Sequence, residues 1–173
     1  MLLYKCFFFL LLSSGKKYWQ KTYIITNKSP IMMRYAGILI KRKDGKMLFQ
    51  LRDNNPFIQN KNQWGIFGGG IKSNETPIAG AMRELKEELS FNVQKNELRL
   101  LAVFPGLKQR NYVYAMDLNQ NAKDLQLQEG AALGYFTISE MVRKKNVVKT
   151  VKLLLICYPF LCFVRKMFVS LSR

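Results

Sequence analysis

Gly69–Phe91, GGIKSNETPIAGAMRELKEELSF, is the stretch that decides the fold of this chain. A glycine-rich turn leads into a run with helical spacing, for which Thr76 is a suitable N-cap and Pro77 a suitable first residue. Three carboxylates then stand at positions i, i+3 and i+4, which places them on one helix face within a single turn: Glu84, Glu87 and Glu88.

Such crowding requires a counter-charge, because like charges on adjacent turns repel by roughly 0.2–0.5 kcal/mol per exposed pair. A hard divalent cation would supply it, since carboxylate oxygens are the ligands that Mg²⁺ and Mn²⁺ select. A solvated helix face neutralised by Arg83 and Lys86 is the alternative, and it is the better account of the carboxylates taken alone. The glycine turn and the fixed spacing shift the balance towards a metal site.

The stretch resembles the signature of the Nudix hydrolases, the MutT-like family. That signature is a glycine, five residues, a glutamate, seven residues, and then R-E-hydrophobic-x-E-E-x-G-hydrophobic. Counting from Gly69 reaches Glu75 and then Arg83, and every position agrees except Ser90, where the family has glycine. That glycine commonly ends the helix in a left-handed conformation, which costs another residue about 1 kcal/mol. The departure therefore concerns the helix end and not the carboxylates.

The resemblance implies an α/β Nudix fold, an α/β/α sandwich with a central mixed sheet and a catalytic loop–helix. It implies Mg²⁺ as cofactor, with Mn²⁺ as a substitute, and Glu75 as a brace between loop and helix. The catalytic residues would be Arg83, Glu84, Glu87, Glu88 and Glu129, with Arg83 orienting the carboxylates. The metal ligands would be Gly69, Glu84, Glu87 and Glu88, and the substrate-binding residues Arg52, Gly69 and Gly70.

Two of these residues lie outside the signature and have alternative explanations. Arg52 ends the second predicted strand, where the family often has an arginine near the substrate, but a surface charge at a strand end accounts for it equally well. Glu129 precedes Gly130 and an aromatic strand, as does an acidic residue that serves metal binding or catalysis in MutT-like members. A solvent-exposed loop charge explains Glu129 nearly as well.

The rest of the central region predicts a succession of short elements. Asp44-Gly45 favours a hairpin turn, Trp64 is interpreted as core packing rather than as a base-stacking residue, and Ser139 is predicted to cap a helix that runs to about Lys145. The predicted strands are Tyr35–Ile40, Met47–Leu51, the strand and glycine loop Gln63–Gly70, Leu98–Phe104, Asn111–Leu118 and Gly134–Phe136, with a turn at Pro105-Gly106.

Composition limits the chemistry open to the 173 residues. The chain has no histidine, which excludes a Cys/His zinc site and Ser-His or Cys-His nucleophilic catalysis. Its three cysteines are odd in number and form no CxxC pair, so a reducing cytoplasm is the simplest setting. The formal charge of +17 favours anionic partners, although a lysine-rich composition explains it as well, and no motif for sequence-specific nucleic-acid binding is present.

Both ends of the chain differ from its centre in charge, because all 11 acidic residues lie between Asp44 and Glu140. We divide the chain into an apolar and basic extension (1–31), a Nudix domain (32–150) and an apolar and basic tail (151–173). The extension is a leader or an anchor, or else the start codon is mis-assigned and the extension is not translated. The second alternative arises because Met32 and Met33 precede the first predicted strand. The tail is a helix docked on the domain or one that lies on anionic lipid, which would give a weak membrane association.

The sequence leaves the substrate open. It favours a MutT-like pyrophosphatase of (d)NTPs or 8-oxo-dGTP, with nucleotide sugars, ADP-ribose and dinucleoside polyphosphates as alternatives. A non-catalytic Nudix module that senses nucleotides is a competing class, as is a membrane-associated protein defined by its apolar ends. A homodimer is also left open.

Overall fold

The structure is a computed structural model that describes residues 33–105 and 109–171, with side chains described as far as Phe163. Within these residues it is built on one mixed sheet with helices on both faces. The strands are β1 (Met33–Lys41), β2 (Met47–Leu51), β3 (Trp64–Gly65), β4 (Phe67–Gly70), β5 (Arg99–Pro105), β6 (Gln109–Asp117) and β7 (Ala132–Phe136). The helices are α1 (Pro77–Leu89), α2 (Ile138–Arg143) and α3 (Lys149–Leu171), with 3₁₀ turns at Lys95–Glu97 and Ala122–Asp124.

Strand β1 is the axis of the sheet. Along one side it pairs in parallel with β6 over its whole length. Along its other side it pairs antiparallel with β2 at one end and with β4 at the other, where Ala36 lies opposite Gly69 and Gly37 opposite Gly68. Strand β2 carries β3 and β7, and β5 forms the far edge beyond β6. The glycine loop that precedes α1 is therefore anchored on the central strand.

Alternate side chains along the strands form two hydrophobic layers, as a period of two requires. Ile38 and Phe67 pack with Leu85 of α1 on one face of the sheet. On the other face Leu39 and Phe49 lie in a second cluster with residues of α2 and α3. This arrangement confirms the predicted α/β/α sandwich with a mixed sheet.

Most of the predicted elements are present, with boundaries displaced by one or two residues. The Asp-Gly pair forms the β1–β2 turn, where Gly45 has a φ of 84° that glycine adopts without strain. Trp64 packs edge-on against Phe136, with ring centroids 4.9 Å apart, as the core interpretation predicts. The predicted turn at Pro105-Gly106 lies partly outside the described residues.

One helix boundary was predicted wrongly. Thr137, and not Ser139, is the N-cap of α2: its hydroxyl accepts a hydrogen bond from the Glu140 amide at 3.2 Å. The Glu140 carboxylate accepts one from the Thr137 amide at 2.6 Å, which completes a capping box. A threonine followed three residues later by a glutamate was the stronger signal, and it places Ser139 inside the helix.

One helix joins the predicted domain to the predicted C-terminal tail. Helix α3 starts at Lys149, and Val151 and Leu155 of its first turns are buried against the sheet. Among the residues that the structure describes, no helix combines the length and the apolar character needed to cross a bilayer. The predicted extension at residues 1–31 lies outside the described residues.

Candidate active site

The loop before α1 is held in place by hydrogen bonds between side chains and the main chain. Thr76 caps the helix by accepting from the Ala79 amide at 3.3 Å, and Pro77 follows as the first helical residue. The Glu75 carboxylate accepts from the Lys72 amide at 2.7 Å. Arg34 of β1 donates to the Lys72 carbonyl at 2.9 Å and so ties the loop to the sheet. The loop thus has a fixed shape before any ligand binds.

Arg83 connects this loop to the carboxylates of α1. It makes a bidentate pair with Glu75, with Nη2 to Oε1 at 2.8 Å and Nε to Oε2 at 3.2 Å, and it donates to the Gly70 carbonyl at 2.8 Å. Its Nη1 also reaches Glu84 and Glu87, each at 2.7 Å. The hydrogen bonds from Arg83 lower the pKa of Glu75 to about 2, so Glu75 stays ionised and braces the loop.

Glu88 is buried on the inner side of α1, with only 4% of its surface exposed. Its two oxygens accept from the Gln50 side-chain amide at 2.6 Å and from the Gly68 main-chain amide at 2.8 Å. Burial raises the pKa of Glu88 to about 7, although both hydrogen bonds oppose the shift. A buried carboxylate with two donors is fixed in orientation, which is what a metal ligand or a catalytic group needs.

Gln50 is a site residue that the sequence reasoning missed. It is 2% exposed and lies on β2, two residues after the buried Leu48 and therefore on the same face. A polar residue at a core position of a strand was the available signal, because buried polar groups need a hydrogen-bonding partner. That partner is Glu88, 38 residues further along the chain.

The two glycines before α1 have steric reasons to be glycine. Gly68 has a φ of 128°, and a Cβ there would overlap the Ala36 carbonyl oxygen. A Cβ on Gly69 would lie 2.5 Å from the Glu84 carboxylate, so the side chain of Glu84 rests directly on the loop backbone. The Tyr35 hydroxyl donates to the Gly68 carbonyl at 2.9 Å and fixes this peptide further.

Glu129 is brought into the electrostatic range of the α1 carboxylates. The Gln128 amide donates to the Glu88 main-chain carbonyl at 2.8 Å, and the Ala131 amide donates to the Leu51 carbonyl at 2.7 Å, which fixes the segment over the end of α1. Burial raises the pKa of Glu84, and Glu129 adds to that rise. Glu129 itself is exposed, so it has room to approach a ligand.

Arg52 lies beside the site, but its described contact is with the neighbouring loop. Its Nε donates to the Gln59 carbonyl at 3.0 Å. Burial raises the pKa of the Tyr35 hydroxyl, and Glu88 adds to the shift whereas Arg52 opposes it. Arg52 is therefore close enough for its charge to act on this end of the sheet.

Ser90 adopts the left-handed conformation that the family's glycine commonly has at this position. Its φ is 51° and its ψ is 25°, and its amide donates to the Lys86 carbonyl at 3.0 Å. The substitution therefore leaves the helix end in the expected geometry, at a cost of about 1 kcal/mol relative to glycine.

The donor set of the site fits a hard divalent cation, which prefers carboxylate and carbonyl oxygens. Within the part of the chain that the structure describes, no three acidic side chains already converge as ligands. The reason is that Arg83 holds Glu84 and Glu87 while Glu88 faces Gly68. The Arg83–Glu87 pair is a half-exposed i,i+4 pair worth about 0.3–0.5 kcal/mol, so a cation can displace it at little cost.

Comparisons with known proteins agree with this geometry. The family model described as the NUDIX domain matches residues 32–154, and the chain therefore belongs to the Nudix family. Nudix hydrolase 5 of Arabidopsis thaliana is 36% identical over 58 residues. That stretch is 34% of this chain but only 19% of the length of the Arabidopsis protein.

Solved structures show the same fold at low sequence identity. The MutT protein of Methanosarcina mazei Go1 has a TM-score of 0.57 and 16% identity, over 71% of this chain and 89% of that one. A C. elegans Ap4A hydrolase, solved as a binary complex, has a TM-score of 0.56 and 20% identity, over 76% of this chain and 98% of that one.

Proposed function

We propose that this chain hydrolyses the diphosphate linkage of a nucleoside diphosphate derivative with the help of a divalent cation, Mg²⁺ or its substitute Mn²⁺. The observation that carries the proposal is the arrangement of the signature carboxylates. The Glu84 carboxylate lies against the backbone of the glycine loop, and Glu87 forms an ion pair with Arg83. Glu88 accepts hydrogen bonds from Gly68 and Gln50. All of them lie next to a rigid loop whose backbone a phosphate group can approach.

In this proposal Glu84, Glu87 and Glu88 hold the cation together with the backbone of Gly69. When bound, the cation would neutralise the charge of the diphosphate and make water a stronger nucleophile at neutral pH. One of these carboxylates, or Glu129, would accept the proton of the attacking water.

The remaining polar groups orient the reactants. Arg83 fixes the position of the carboxylates relative to the loop, because it donates hydrogen bonds to Glu75 and to the Gly70 carbonyl. Gly69 and Gly70 would bind the substrate through their main chain, and the space where a Cβ of Gly70 would lie is open. Arg52 would pair with a phosphate oxygen of the substrate, since a guanidinium matches that geometry.

For the substrate we favour a (d)NTP or 8-oxo-dGTP, as expected of a MutT-like enzyme. A nucleotide sugar, ADP-ribose or a dinucleoside polyphosphate is the alternative, and one of the structural relatives is named as an Ap4A hydrolase. A module that senses nucleotides without cleaving them is the competing class. The retention of Glu75, Glu84, Glu87 and Glu88 supports catalysis, because a sensor would not need the full set.

A substrate panel tests this proposal. Full-length protein is incubated with each class of nucleoside diphosphate derivative and with Mg²⁺ or Mn²⁺, and the phosphorylated products are measured. We expect Glu87→Gln to lower hydrolysis by orders of magnitude with the fold intact. The matched control is Lys86→Gln, which changes the exposed neighbour on the same helix turn and should retain activity. Hydrolysis of no member of the panel, or full activity of Glu87→Gln, would contradict the assignment.

The cytoplasmic location, the homodimer and the weak membrane association remain predictions from the sequence. A small nucleotide is the proposed partner of the active site. No sequence-specific nucleic-acid partner is proposed.

A further inference from the structure

The solvent side of helix α3 is apolar. Three large side chains recur there at intervals of three and seven residues, which places them along one side of a helix. Their exposed fractions are 45% for Leu153, 57% for Ile156 and 63% for Phe163. We refer to these three residues as the outer stripe.

The opposite side of α3 is also apolar, and it accounts for the docking of the helix on the sheet. Val151, Leu154, Leu155 and Leu161 lie on that side and are buried in the core cluster. A helix that is apolar all round is normally covered on every side. The contacts of α3 with the sheet explain its inner side, and they leave the outer stripe facing outwards.

Charge indicates what covers the outer stripe. Beyond Glu140 the chain contains eight Lys and Arg residues and no acidic residue. Lys149 is exposed one turn before Leu153, and Lys152 lies beside the stripe. A second copy of the chain would bring these like charges together, at a cost. An anionic surface would be attracted by them while the stripe entered an apolar layer.

We propose that the outer stripe of α3 docks on an anionic phospholipid surface, with the helix lying in the interface and not crossing it. Leu153, Ile156 and Phe163 enter the boundary between headgroups and acyl chains. Lys149 and Lys152 contact the lipid phosphates. Because α1 packs on the opposite face of the sheet, the candidate active site stays open to water and to a small substrate.

Sedimentation with vesicles tests the proposal on the full-length protein. The probes are vesicles of phosphatidylcholine alone and vesicles in which part of it is replaced by phosphatidylserine. We expect binding to the anionic vesicles only, with an affinity that falls as NaCl is added, because surface charges are screened. Equal binding to both vesicle types, or binding to neither, would overturn the proposal.

Two sets of substitutions locate the surface. Ile156→Ser with Phe163→Ser should weaken binding by roughly tenfold or more, since apolar area no longer enters the lipid. Lys149→Gln and Lys152→Gln should each weaken it by roughly fivefold. The matched control is Leu100→Ser with Val103→Ser, which removes exposed apolar side chains from β5 and should bind as the unsubstituted protein does. Hydrolytic activity should be unchanged in all of these variants, which shows that they fold.

The substitutions also separate lipid from other partners. If Ile156→Ser with Phe163→Ser binds anionic vesicles as tightly as the original protein, the outer stripe is not the contact. If the original protein sediments as a dimer that these substitutions dissociate, and does not bind vesicles, then a second copy covers the stripe. Either result overturns the proposal.

Discussion

Helices α1 and α3 pack on opposite faces of one sheet, yet their outer sides have opposite character. The outer side of α1 carries carboxylates held by Arg83, whereas that of α3 carries Leu153, Ile156 and Phe163. Both helices bury an apolar inner side, with Leu85 in α1 and Leu155 in α3. The exposed side of α1 therefore belongs to the proposed active site, and the exposed side of α3 belongs to the proposed lipid contact.

The two helices should also differ in what their residues control. Polar groups around α1 are proposed to bind the cation and the substrate, so changing them should affect activity more than stability. Buried residues of α3 fill the second core layer, so changing them should affect stability more than activity. Four substitutions test this division, in order of decreasing effect.

Glu88→Gln should produce the largest change, a loss of hydrolysis by orders of magnitude. The amide keeps the size of the side chain, but it removes the negative charge that a cation requires. Steady-state kinetics with Mg²⁺ and a thermal unfolding curve measure the two effects separately. Near-normal kcat in this variant would mean that Glu88 has a structural role only.

Leu155→Ala in α3 should have the opposite effect, a loss of stability with little change in activity. Removal of a fully buried leucine typically costs 2–5 kcal/mol in the free energy of unfolding. The matched control is Ile156→Ala on the exposed side of the same turn, with an expected change within about 0.5 kcal/mol. Denaturant unfolding checks both, and kcat/KM of the folded variants should match the original. Equal destabilisation by the two substitutions would show that α3 is buried on both sides.

Gln50→Leu should lower activity by roughly 10–100-fold, because groups that orient a metal ligand typically have effects of that size. Glu88 loses the donor at 2.6 Å and keeps the one from Gly68. A titration of activity against Mg²⁺ should show a weaker apparent affinity for the cation. If kcat and the Mg²⁺ dependence stay unchanged, the Gln50–Glu88 hydrogen bond does not contribute to catalysis.

Ser90→Gly should have the smallest effect of the four, and it should increase stability rather than lower stability or activity. Glycine adopts a φ of 51° without the cost that serine incurs, so the variant should be more stable by about 1 kcal/mol. Activity should be unchanged, because Ser90 follows the carboxylates and is exposed. A large loss of activity would reveal a direct role for its hydroxyl.

Sequence signals made of neighbouring residues predicted most of the helix starts and turns correctly. Thr76 and Pro77 begin α1 as expected, and the Asp-Gly pair forms its hairpin. Ser139 is the wrong N-cap for α2 because the capping box of Thr137 and Glu140 is the stronger signal. Such signals involve residues only a few positions apart, so a sequence contains all of their parts.

Contacts between distant segments were not predictable in the same way. Gln50 was missed since its partner is 38 residues away, and nothing local indicates that β2 passes beneath α1. The side of α3 that packs on the sheet could not be predicted for a similar reason, because both sides of that helix are apolar and only its contacts show which one faces the sheet.

The sequence by itself determined the family, the helix of the candidate active site and the residues that carry its charge, since spacing along a helix fixes which side chains share a face. The tertiary structure alone decided the burial of Glu88 against Gly68 and the direction of the outer stripe. Burial depends on which segments meet in space, and that is a property of the folded chain as a whole.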